Sequence, residues 1–447
     1  MTLPLLPLAL LLATQVGQVG PIGPQARRSA RPVPTATSTP NIVLIIADDF
    51  GVDFLGAYGE GAAPPCTPNI DSFATDSLLF RNAWTNPVCT PTRAAVLTGR
   101  YGFRTGMGGV GGSFGLPFSE LTLPEMLTGY NSSAVGKWHL AGNGGNSHPN
   151  STGFGYFAGA LSGGLPDYFQ WPKVVNGVSS TSTNYATTDT ADEAIAAMGV
   201  MSTTSEPWFL YVAFNSPHSP WHVPPAALCP AAANCNTAFC MTVDDNSPNW
   251  RKGKAMVEAM DTELGRLLAA LDQVDPDAYV VFIGDNGTPG QLSQSPFPSN
   301  HAKGTLYEGG VNVPLIVRGP GVVPGESQAL VSSVDLFATF AELAEVSATT
   351  EDSISMVPYF TNPALSLRST VYSETFSPNG GTFPYPTHVR AIRGERYKLI
   401  RTNGQADEFY DLWMDAFEGS NLLPSLSTSE QTAHDQLLAE LTALGVN

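Results

Sequence analysis

Several short apolar runs that end abruptly in polar residues constrain the fold of this chain more than any other feature. They cover residues 41–47 (NIVLIIA), 208–214 (WFLYVAF) and 278–283 (AYVVFI). Runs of this length and composition predict strands that are buried on both faces of a sheet. They lead into Asp48-Asp49, into Asn215-Ser216-Pro217-His218 and into Gly284-Asp285-Asn286. Because ligand sites in open α/β sheets lie beyond the carboxyl ends of the strands, these polar residues are candidate site residues.

Helical periodicity between these runs indicates how the sheet is covered. Residues 253–273 carry apolar side chains at helical spacing, at Met256, Met260, Leu264, Leu267, Leu268 and Leu271. Such a stripe predicts a helix that packs against a core. Strands that alternate with helices of this kind predict the α/β class, with a large, mostly parallel sheet flanked by helices. We expect this domain to span residues 41–350.

The pattern changes after about residue 350. Residues 369–375 and 388–402, the latter with a turn at Gly394-Glu395, predict antiparallel strands, and a terminal helix is expected from about Ser429. The sequence therefore predicts a small C-terminal α+β subdomain over residues 351–447.

The first forty residues have the composition of an export segment. Leu3 to Ala13 is apolar but too short to span a bilayer, and a Pro/Thr-rich stretch follows at 32–40. We interpret residues 1–20 as a signal peptide and 21–40 as a linker. This segment differs from an ordinary signal peptide in two ways. It begins without Lys or Arg, and it has no clear Ala-x-Ala cleavage site. The sequence thus predicts a secreted or periplasmic protein with no membrane span.

The net charge of the chain limits which classes of binding partner are expected. Charged residues make up 13% of the chain, and the formal net charge is −18. A broad basic surface for a nucleic-acid backbone is therefore not expected. A local basic pocket is compatible with the same composition, since net charge does not say where the Lys and Arg side chains lie.

The chain has five cysteines, at Cys66, Cys89, Cys229, Cys235 and Cys240. If Cys89 has a separate role, the other four are an even number that fits two disulfides in an exported protein. A zinc site made from Cys229, Cys235 and Cys240 is the alternative. Their spacing contains no Cys-x-x-Cys pair and no His is close, so disulfides are favoured over metal.

Two pairs of oxygen-bearing residues are candidate ligands for a cation. Asp48 and Asp49 follow one apolar run, and Asp285 and Asn286 follow another. Adjacent carboxylates repel each other, and a bound cation relieves that repulsion. Three carboxylates and an amide suit Ca²⁺, with Mg²⁺ as the second choice. Ordinary turns are the alternative, but the positions at the ends of two buried strands favour metal.

Three further loops carry basic side chains. Lys137 and His139 lie in the segment GKWHL, after an expected strand at 132–135, and alternation would put both on one face. His218 lies in a proline-containing loop after another strand, and Lys303 lies in the glycine-punctuated loop 302–310. A lysine beside an imidazole suits an anionic oxygen. A surface position is the alternative for Lys137 and His139, and a loop histidine without function is the alternative for His218.

A cysteine motif opens a helix-compatible segment. The run Cys89-Thr90-Pro91-Thr92-Arg93 has a proline near the first turn and continues to Leu97-Thr98-Gly99-Arg100. This run resembles the signature of the type I sulfatases, and the resemblance covers nearly the whole chain. The matching blocks are, in order, Asp48-Asp49, CTPTRAAVLTGR, GKWHL, PHSPWH, GDNG, KGTLYEGG, VPLIVRGPG, RYKLI and EFYDL. The departures are Thr92 where Ser or Ala is commoner, Ala302 where Gly is usual and Ala141 where Gly is frequent.

The resemblance implies an alkaline-phosphatase-like fold and a sulfuric ester hydrolase. Cys89 would be oxidised to formylglycine by a formylglycine-generating enzyme, and one hydroxyl of the hydrated aldehyde would attack the sulfur of an aryl or carbohydrate sulfate. The metal, most often Ca²⁺, would stabilise charge on the sulfate oxygens. Its implied ligands are Asp48, Asp49, Asp285 and Asn286.

The same resemblance assigns roles to the remaining polar residues. Arg93 would orient the nucleophile and neutralise nearby charge, while Lys137 and Lys303 would bind the sulfate. His218, with Lys303, would protonate the leaving alcohol. His139 would take a proton from the second hydroxyl, which releases sulfate and regenerates the aldehyde.

Two other functions stay open at the level of sequence. A phosphatase or phosphonate monoester hydrolase of the same superfamily acts on esters of similar tetrahedral geometry. A dinuclear zinc phosphatase would need further His and Asp ligands and usually a Ser or Thr nucleophile, which the Cys89 motif argues against. A non-catalytic binder of sulfated glycans with unconverted Cys89 is an alternative from another class.

Overall fold

The structure is a computed structural model that describes residues 39–230, 235 and 237–446. The expected signal peptide (1–20) and all but the last two residues of the expected linker (21–40) lie outside the described residues. Two β-sheets organise the rest of the chain. The strands of the larger sheet are β1 (Ile42–Ala47), β2 (Leu78–Trp84), β3 (Asn131–Lys137), β4 (Tyr156–Ala160), β5 (Trp171–Val175), β6 (Val178–Ser182), β7 (Trp208–Phe214), β8 (Tyr279–Gly284), β9 (Leu315–Arg318) and β10 (Gly325–Ser332).

The larger sheet has ten strands in the order β10-β2-β9-β8-β1-β7-β3-β4-β5-β6. Its centre, from β8 to β4, is parallel throughout, and β10 is parallel to β2. β9 runs antiparallel between β2 and β8, and β5 and β6 form an antiparallel hairpin at one edge. The predicted α/β class with a large, mostly parallel sheet is confirmed.

Helices cover both faces of this sheet. They are α1 (Pro68–Thr75), α2 (Cys89–Thr98), α3 (Gly102–Thr105), α4 (Leu123–Met126), α5 (His148–Ser151), α6 (Ala186–Met201), α7 (Asn249–Val274), α8 (Glu308–Val311), α9 (Asp335–Leu343), α10 (Val357–Thr361) and α11 (Thr428–Ala443). Apolar residues of α1, α6 and α7 pack on one face, and those of α2, α4, α9 and α10 pack on the other.

The first strand shows why the apolar runs predicted this arrangement. Ile42, Leu44 and Ile46 pack into the core on one face of the sheet, while Val43 and Ile45 pack into the core on the other. Side chains alternate between faces along a strand. A strand covered on both faces therefore has to be apolar at every position.

The smaller sheet is antiparallel and lies in the C-terminal part of the chain. Its strands, in spatial order, are β11 (Val371–Ser377), β12 (Thr387–Arg393), β13 (Tyr397–Thr402) and β14 (Glu408–Asp411). Leu437 and Leu441 of α11 share an apolar cluster with Leu399 and Phe409. The predicted antiparallel strands and terminal helix are confirmed, while the domain boundary at residue 350 stays a prediction.

Two disulfides join the four cysteines other than Cys89. Cys66 pairs with Cys235 and Cys229 pairs with Cys240, with Cα–Cα distances of 6.2 and 5.7 Å. The preference for disulfides over a zinc site is thereby confirmed. Cys89 is a buried free cysteine. Across the described part of the chain, no helix is both long and apolar enough to cross a membrane.

Candidate active site

The carboxyl ends of four adjacent parallel strands bring most of the predicted residues together. β8, β1, β7 and β3 end side by side, with Ala47 opposite both Gly284 and Phe214. The residues that follow these ends are Asp285-Asn286, Asp48-Asp49, Asn215 to His218 and Trp138-His139. The expected position beyond the strand ends is confirmed for these loops.

Cys89 reaches the same place from the first residue of α2. This helix is buried along its whole length and ends where Gly99 adopts a φ of 67°, a left-handed conformation that suits glycine. The Thr92 hydroxyl accepts the Asn86 backbone N–H at 3.0 Å and so holds the loop that precedes the helix. The free N–H groups and the dipole at the start of α2 favour an anion beside Cys89.

The predicted metal ligands form a buried cluster. Two of these ligands, Asp48 and Asp285, each offer a carboxylate oxygen, and these two atoms and Cys89 Sγ lie within 4.8 Å of one another. The Asn286 side-chain amide donates to Asp49 Oδ1 at 2.9 Å. Oδ1 of Asp48 and Oδ1 of Asn286 are buried and have no hydrogen-bond partner among the residues that the structure describes. Two unpaired buried oxygens in a carboxylate cluster fit a divalent cation.

Each carboxylate of the cluster is also paired with a cationic side chain. The pairs are Lys137 with Asp48 at 2.5 Å, Arg93 with Asp285 at 2.8 Å, and Lys303 with Asp49. Arg93 also donates to the Lys137 carbonyl oxygen at 2.9 Å. The Lys137 and Arg93 side chains are inaccessible, whereas Lys303 keeps 19% of its side-chain surface. Lys303 is therefore the most accessible of the three cations.

The surroundings shift the pKa values of Asp48 and Asp285 in opposite directions. Burial raises the pKa of Asp48 to about 6, and the negative charge of Asp285 adds to this effect. Burial also acts to raise the pKa of Asp285, but Arg93 and Lys137 outweigh it, so that pKa is lowered. The repulsion of the cluster is thus concentrated on Asp48, which also carries an unpaired oxygen. A cation beside Asp48 would offset the repulsion between the carboxylates and would give the unpaired oxygen a partner.

Cys89 and His139 are in direct contact, with Cys89 Sγ 3.1 Å from His139 Nδ1. Burial raises the pKa of the Cys89 thiol, which makes the unmodified side chain a poor nucleophile. Burial, followed by the charges of Lys137 and Arg93, lowers the pKa of His139 to about 2. The imidazole is therefore neutral.

The backbone around His139 departs from the predicted strand alternation. β3 ends at Lys137, and His139 has a φ of 59°, which is unusual for a residue other than glycine. Its N–H donates to the Leu161 carbonyl oxygen at 3.1 Å. Lys137 and His139 both reach the site, but the second does so through a turned backbone.

The loop after β4 contains a residue that sequence reasoning missed. A Cβ atom on Gly163 would lie 2.1 Å from His139 Cε1, so only glycine leaves room for this ring. A Cβ on Gly164 would lie 3.2 Å from His218 Cε1. The two histidines therefore lie against consecutive glycines. A Gly-Gly pair in the loop after a strand was the signal that could have found them.

His218 is held by its backbone and is partly exposed. Its N–H donates to the Asn215 carbonyl oxygen at 2.9 Å, and the Tyr168 hydroxyl lies 2.7 Å from the carbonyl oxygens of both residues. The Ser219 carbonyl oxygen lies 2.8 Å from His218 Nδ1. A carbonyl can only accept, so Nδ1 carries a hydrogen and Nε2 is left to exchange a proton. Tyr168 is far from His218 in sequence, and no sequence signal pointed to it.

A cavity of about 350 Å³ adjoins Cys89 and is lined by His139, Thr90, Asn146 and Ser162 among others. Its size is in the range of small-molecule sites. A larger cavity of about 570 Å³, lined in part by Arg81, Glu308 and Trp413, contains none of the predicted site residues. The smaller cavity is therefore the one that adjoins the predicted site residues.

The family model for sulfatases matches residues 40–346, well over half of the chain. The chain belongs to the sulfatase family. A second model, described as the C-terminal region of N-sulphoglucosamine sulphohydrolase, matches residues 300–446 of this sulfatase. Members of the family generally use a formylglycine and a divalent metal ion, and the cluster around Asp48 is a suitable metal site.

Named relatives agree with this assignment. N-acetylgalactosamine-6-sulfatase of Sus scrofa is 29% identical, with 90% of this chain and 78% of that protein covered. Arylsulfatase G of Rattus norvegicus is 30% identical, with coverages of 83% and 77%. Arylsulfatase A of Homo sapiens is 31% identical, with coverages of 79% and 72%. This sulfatase is accordingly a sulfuric ester hydrolase.

Solved structures share its fold. Ps i-CgsB in complex with k-i-k-neocarrahexaose superposes with a TM-score of 0.76 at 27% identity, covering 91% of this chain and 93% of that one. A protein bound to its substrate D-glucosamine-2-N,6-O-disulfate superposes with a TM-score of 0.73 at 20% identity, covering 91% and 97%. The large sheet and the small C-terminal sheet are thus the family architecture.

Proposed function

We propose that this sulfatase hydrolyses aryl or carbohydrate sulfates with a formylglycine made from Cys89 by a formylglycine-generating enzyme. The position of Cys89 carries the proposal, since it lies at the start of a buried helix, 3.1 Å from His139 and beside Asp48 and Asp285. Sγ stands in for the formylglycine oxygen, which is bonded to the same Cβ. A hydrated aldehyde would supply a hydroxyl nucleophile where the buried thiol is a poor one.

One Ca²⁺ is the proposed metal, held by Asp48, Asp49, Asp285 and Asn286. The support is the pair of unpaired oxygens on Asp48 and Asn286 and the hard character of all four ligands. When bound, the cation would supply positive charge that polarises the sulfate oxygens. The ligand set contains no His or Cys, which disfavours zinc.

The cationic residues have distinct proposed roles. Lys303, which is partly exposed and pairs with Asp49, is suited to bind a sulfate oxygen on the accessible side of the cluster. Lys137, which is buried and pairs with Asp48, would bind another sulfate oxygen from the buried side. The contacts of Arg93 to Asp285 and to the Lys137 carbonyl support a role in neutralising charge and holding both groups in place. Its orientation of the nucleophile stays a prediction.

The two histidines are proposed to move protons at different atoms. In its doubly protonated form, His218 would donate the Nε2 proton to the departing alcohol oxygen, while its Nδ1–H stays hydrogen-bonded to the Ser219 carbonyl. His139 is neutral and contacts residue 89, so it would accept a proton from the modified side chain there.

Mass spectrometry of protein coexpressed with a formylglycine-generating enzyme tests the proposal. We expect the peptide containing Cys89 to carry an aldehyde, and Cys89→Ala to abolish turnover of nitrophenyl sulfate while circular dichroism stays unchanged. The same spectra should lack peptides from residues 1–20 if the expected signal is removed. Undiminished hydrolysis by Cys89→Ala would refute the mechanism, and an unconverted thiol in active protein would do the same.

Elemental analysis tests the metal. We expect about one Ca²⁺ per chain, loss of activity on chelation with recovery on adding Ca²⁺, and a Ca²⁺-dependent rise in Tm that Asn286→Ala diminishes. Stoichiometric zinc, with activity indifferent to removal of Ca²⁺ and Mg²⁺, would contradict the assignment.

A further inference from the structure

The segments around the cavity beside Cys89 carry no formal charge. Residues 105–119, 138–166 and 375–389 contain no Lys, Arg, Asp or Glu. Apart from Thr90, the residues that line the cavity come from 105–119 and 138–166, and none of the lining residues is a Lys, Arg, Asp or Glu. We call these uncharged segments the neutral wall of the cavity. The lack of charge along this wall affects which molecules the cavity can bind.

Backbone hydrogen bonds join these segments into one wall. Phe376 N–H donates to the Gly108 carbonyl oxygen at 2.9 Å, and Asn143 N–H donates to the Ser113 carbonyl oxygen at 2.9 Å. The bond from His139 to Leu161 adds the loop after β4 to the same wall. The two segments that line the cavity, 105–119 and 138–166, are thus joined to each other, and 375–389 supports the first of them.

The cavity offers neutral polar groups to a ligand. Thr90, Asn146 and Ser162 line it, and the Thr90 hydroxyl is buried with no hydrogen-bond partner in the described part of the chain. Much of the remaining lining is backbone, because five of the lining residues are glycines, at Gly111, Gly112, Gly142, Gly145 and Gly163. Hydroxyl and amide groups of this kind are suited to hydroxyls of an uncharged sugar.

The cations of the site are already paired. Arg93, Lys137 and Lys303 each form an ion pair with one carboxylate of the cluster, and the first two are inaccessible. They lie at the carboxylate cluster, and none of them lines the cavity. A second anionic group on the substrate would have to lose water beside the neutral wall without a cation to pair with, which is costly. The net charge of −18 also repels polyanions at long range.

We propose that the substrate is an uncharged sugar that carries a single sulfate. This inference rests on the proposed sulfatase mechanism and specifies the leaving group. A sugar with a second sulfate or a carboxylate next to the scissile ester is disfavoured, because the wall that meets it carries no positive charge.

Matched substrates test the inference. Nitrophenyl sulfate first establishes hydrolysis, and methyl glycosides of galactose and N-acetylgalactosamine with one sulfate at each hydroxyl then identify a sugar substrate. A second sulfate on the neighbouring hydroxyl of that sugar should lower kcat/KM by at least ~10-fold, mainly through KM.

An equal or higher kcat/KM on the disulfate would overturn the inference. Hydrolysis of nitrophenyl sulfate with no turnover of any monosulfated sugar would overturn it too, while leaving the mechanism intact. Loss of all hydrolysis would refute the proposed function and the inference with it.

A charge-insertion variant supplies the matched control. Asn146→Lys places a cation on the exposed rim of the cavity, and Val200→Lys adds the same charge at a 70% exposed position on α6 that does not line the cavity. Asn146→Lys should raise the disulfate-to-monosulfate ratio of kcat/KM by at least ~5-fold at low salt, and the gain should shrink as ionic strength rises. Val200→Lys should leave the ratio unchanged. An unchanged ratio in Asn146→Lys, or the same gain in both variants, would count against a charge-selective wall.

Discussion

His139 lies against Gly163 and His218 lies against Gly164, and the two rings meet different atoms. His139 contacts Cys89, whereas the ring of His218 is anchored at Nδ1 by the Ser219 carbonyl and is partly exposed. A residue that protonates the leaving group contributes more to the rate when that group is a poorer leaving group. A residue that acts on the nucleophile affects all substrates alike.

This difference predicts contrasting kinetics for two alanine variants. His218→Ala should lose at least ~10-fold more activity on a sugar sulfate than on nitrophenyl sulfate, because a nitrophenolate departs without a proton. His139→Ala should slow both substrates by similar factors. Steady-state kcat/KM values for both substrates measure the effect. Equal losses for His218→Ala, with chemistry shown to limit the rate, would mean that the general-acid assignment is wrong.

At the scale of elements, the loop between β4 and β5 makes room for the two proposed catalytic histidines because Gly163 and Gly164 have no side chains. The ring of His139 occupies the space that a Cβ on Gly163 would need. This close approach explains how a histidine with a φ of 59° is kept in one orientation. Gly163 is thus a positioning residue that acts through His139.

Gly163→Ala should therefore displace the His139 ring and lower kcat for nitrophenyl sulfate by at least ~10-fold, with a smaller change in KM. Gly155→Ala is the matched control, since its added Cβ would meet the Ser132 carbonyl oxygen at an ordinary 3.5 Å. Kinetics and thermal melts of both variants provide the measurement. A large rise in KM at constant kcat would instead mean that the methyl group blocks the substrate.

At the scale of the whole molecule, one disulfide ties the segment after the His218 loop to a distant part of the chain, and the other closes a short loop within that segment. Cys66–Cys235 closes a sequence separation of 169 residues, and Cys229–Cys240 closes one of 11. A cross-link stabilises the fold more when it closes a longer loop in the unfolded chain.

The paired variant Cys66→Ser/Cys235→Ser should lose about 5 kcal/mol of unfolding free energy, against about 3 kcal/mol for Cys229→Ser/Cys240→Ser, by loop entropy alone. Urea unfolding of the two variants and the unaltered protein under oxidising conditions measures the difference. A larger loss for the shorter loop would show that packing around the cysteines, and not chain entropy, sets their contribution.

Much of the fold was predictable because its signals are local. A strand buried on both faces must be apolar throughout, so the runs that became β1, β7 and β8 were identified within about one residue of their bounds. The β5–β6 hairpin was missed, although Asn176-Gly177 at its turn, with φ values of 44° and 84°, is a strong hairpin signal. The antiparallel insertion of β9 between β2 and β8 had no local signal, because pairing partners are chosen by long-range packing.

The sequence by itself determined which residue types follow the strands, and so the acidic cluster, the cysteine motif and the basic loops. Tertiary structure alone decided the ion pairs of Arg93, Lys137 and Lys303, the place of Gly163 against His139, the support of His218 by Tyr168 and the pairing of the cysteines. The physical reason is that residue types and strand ends are properties of short segments. Contacts between residues tens or hundreds of positions apart exist only once the sheet has brought its strand ends to one edge.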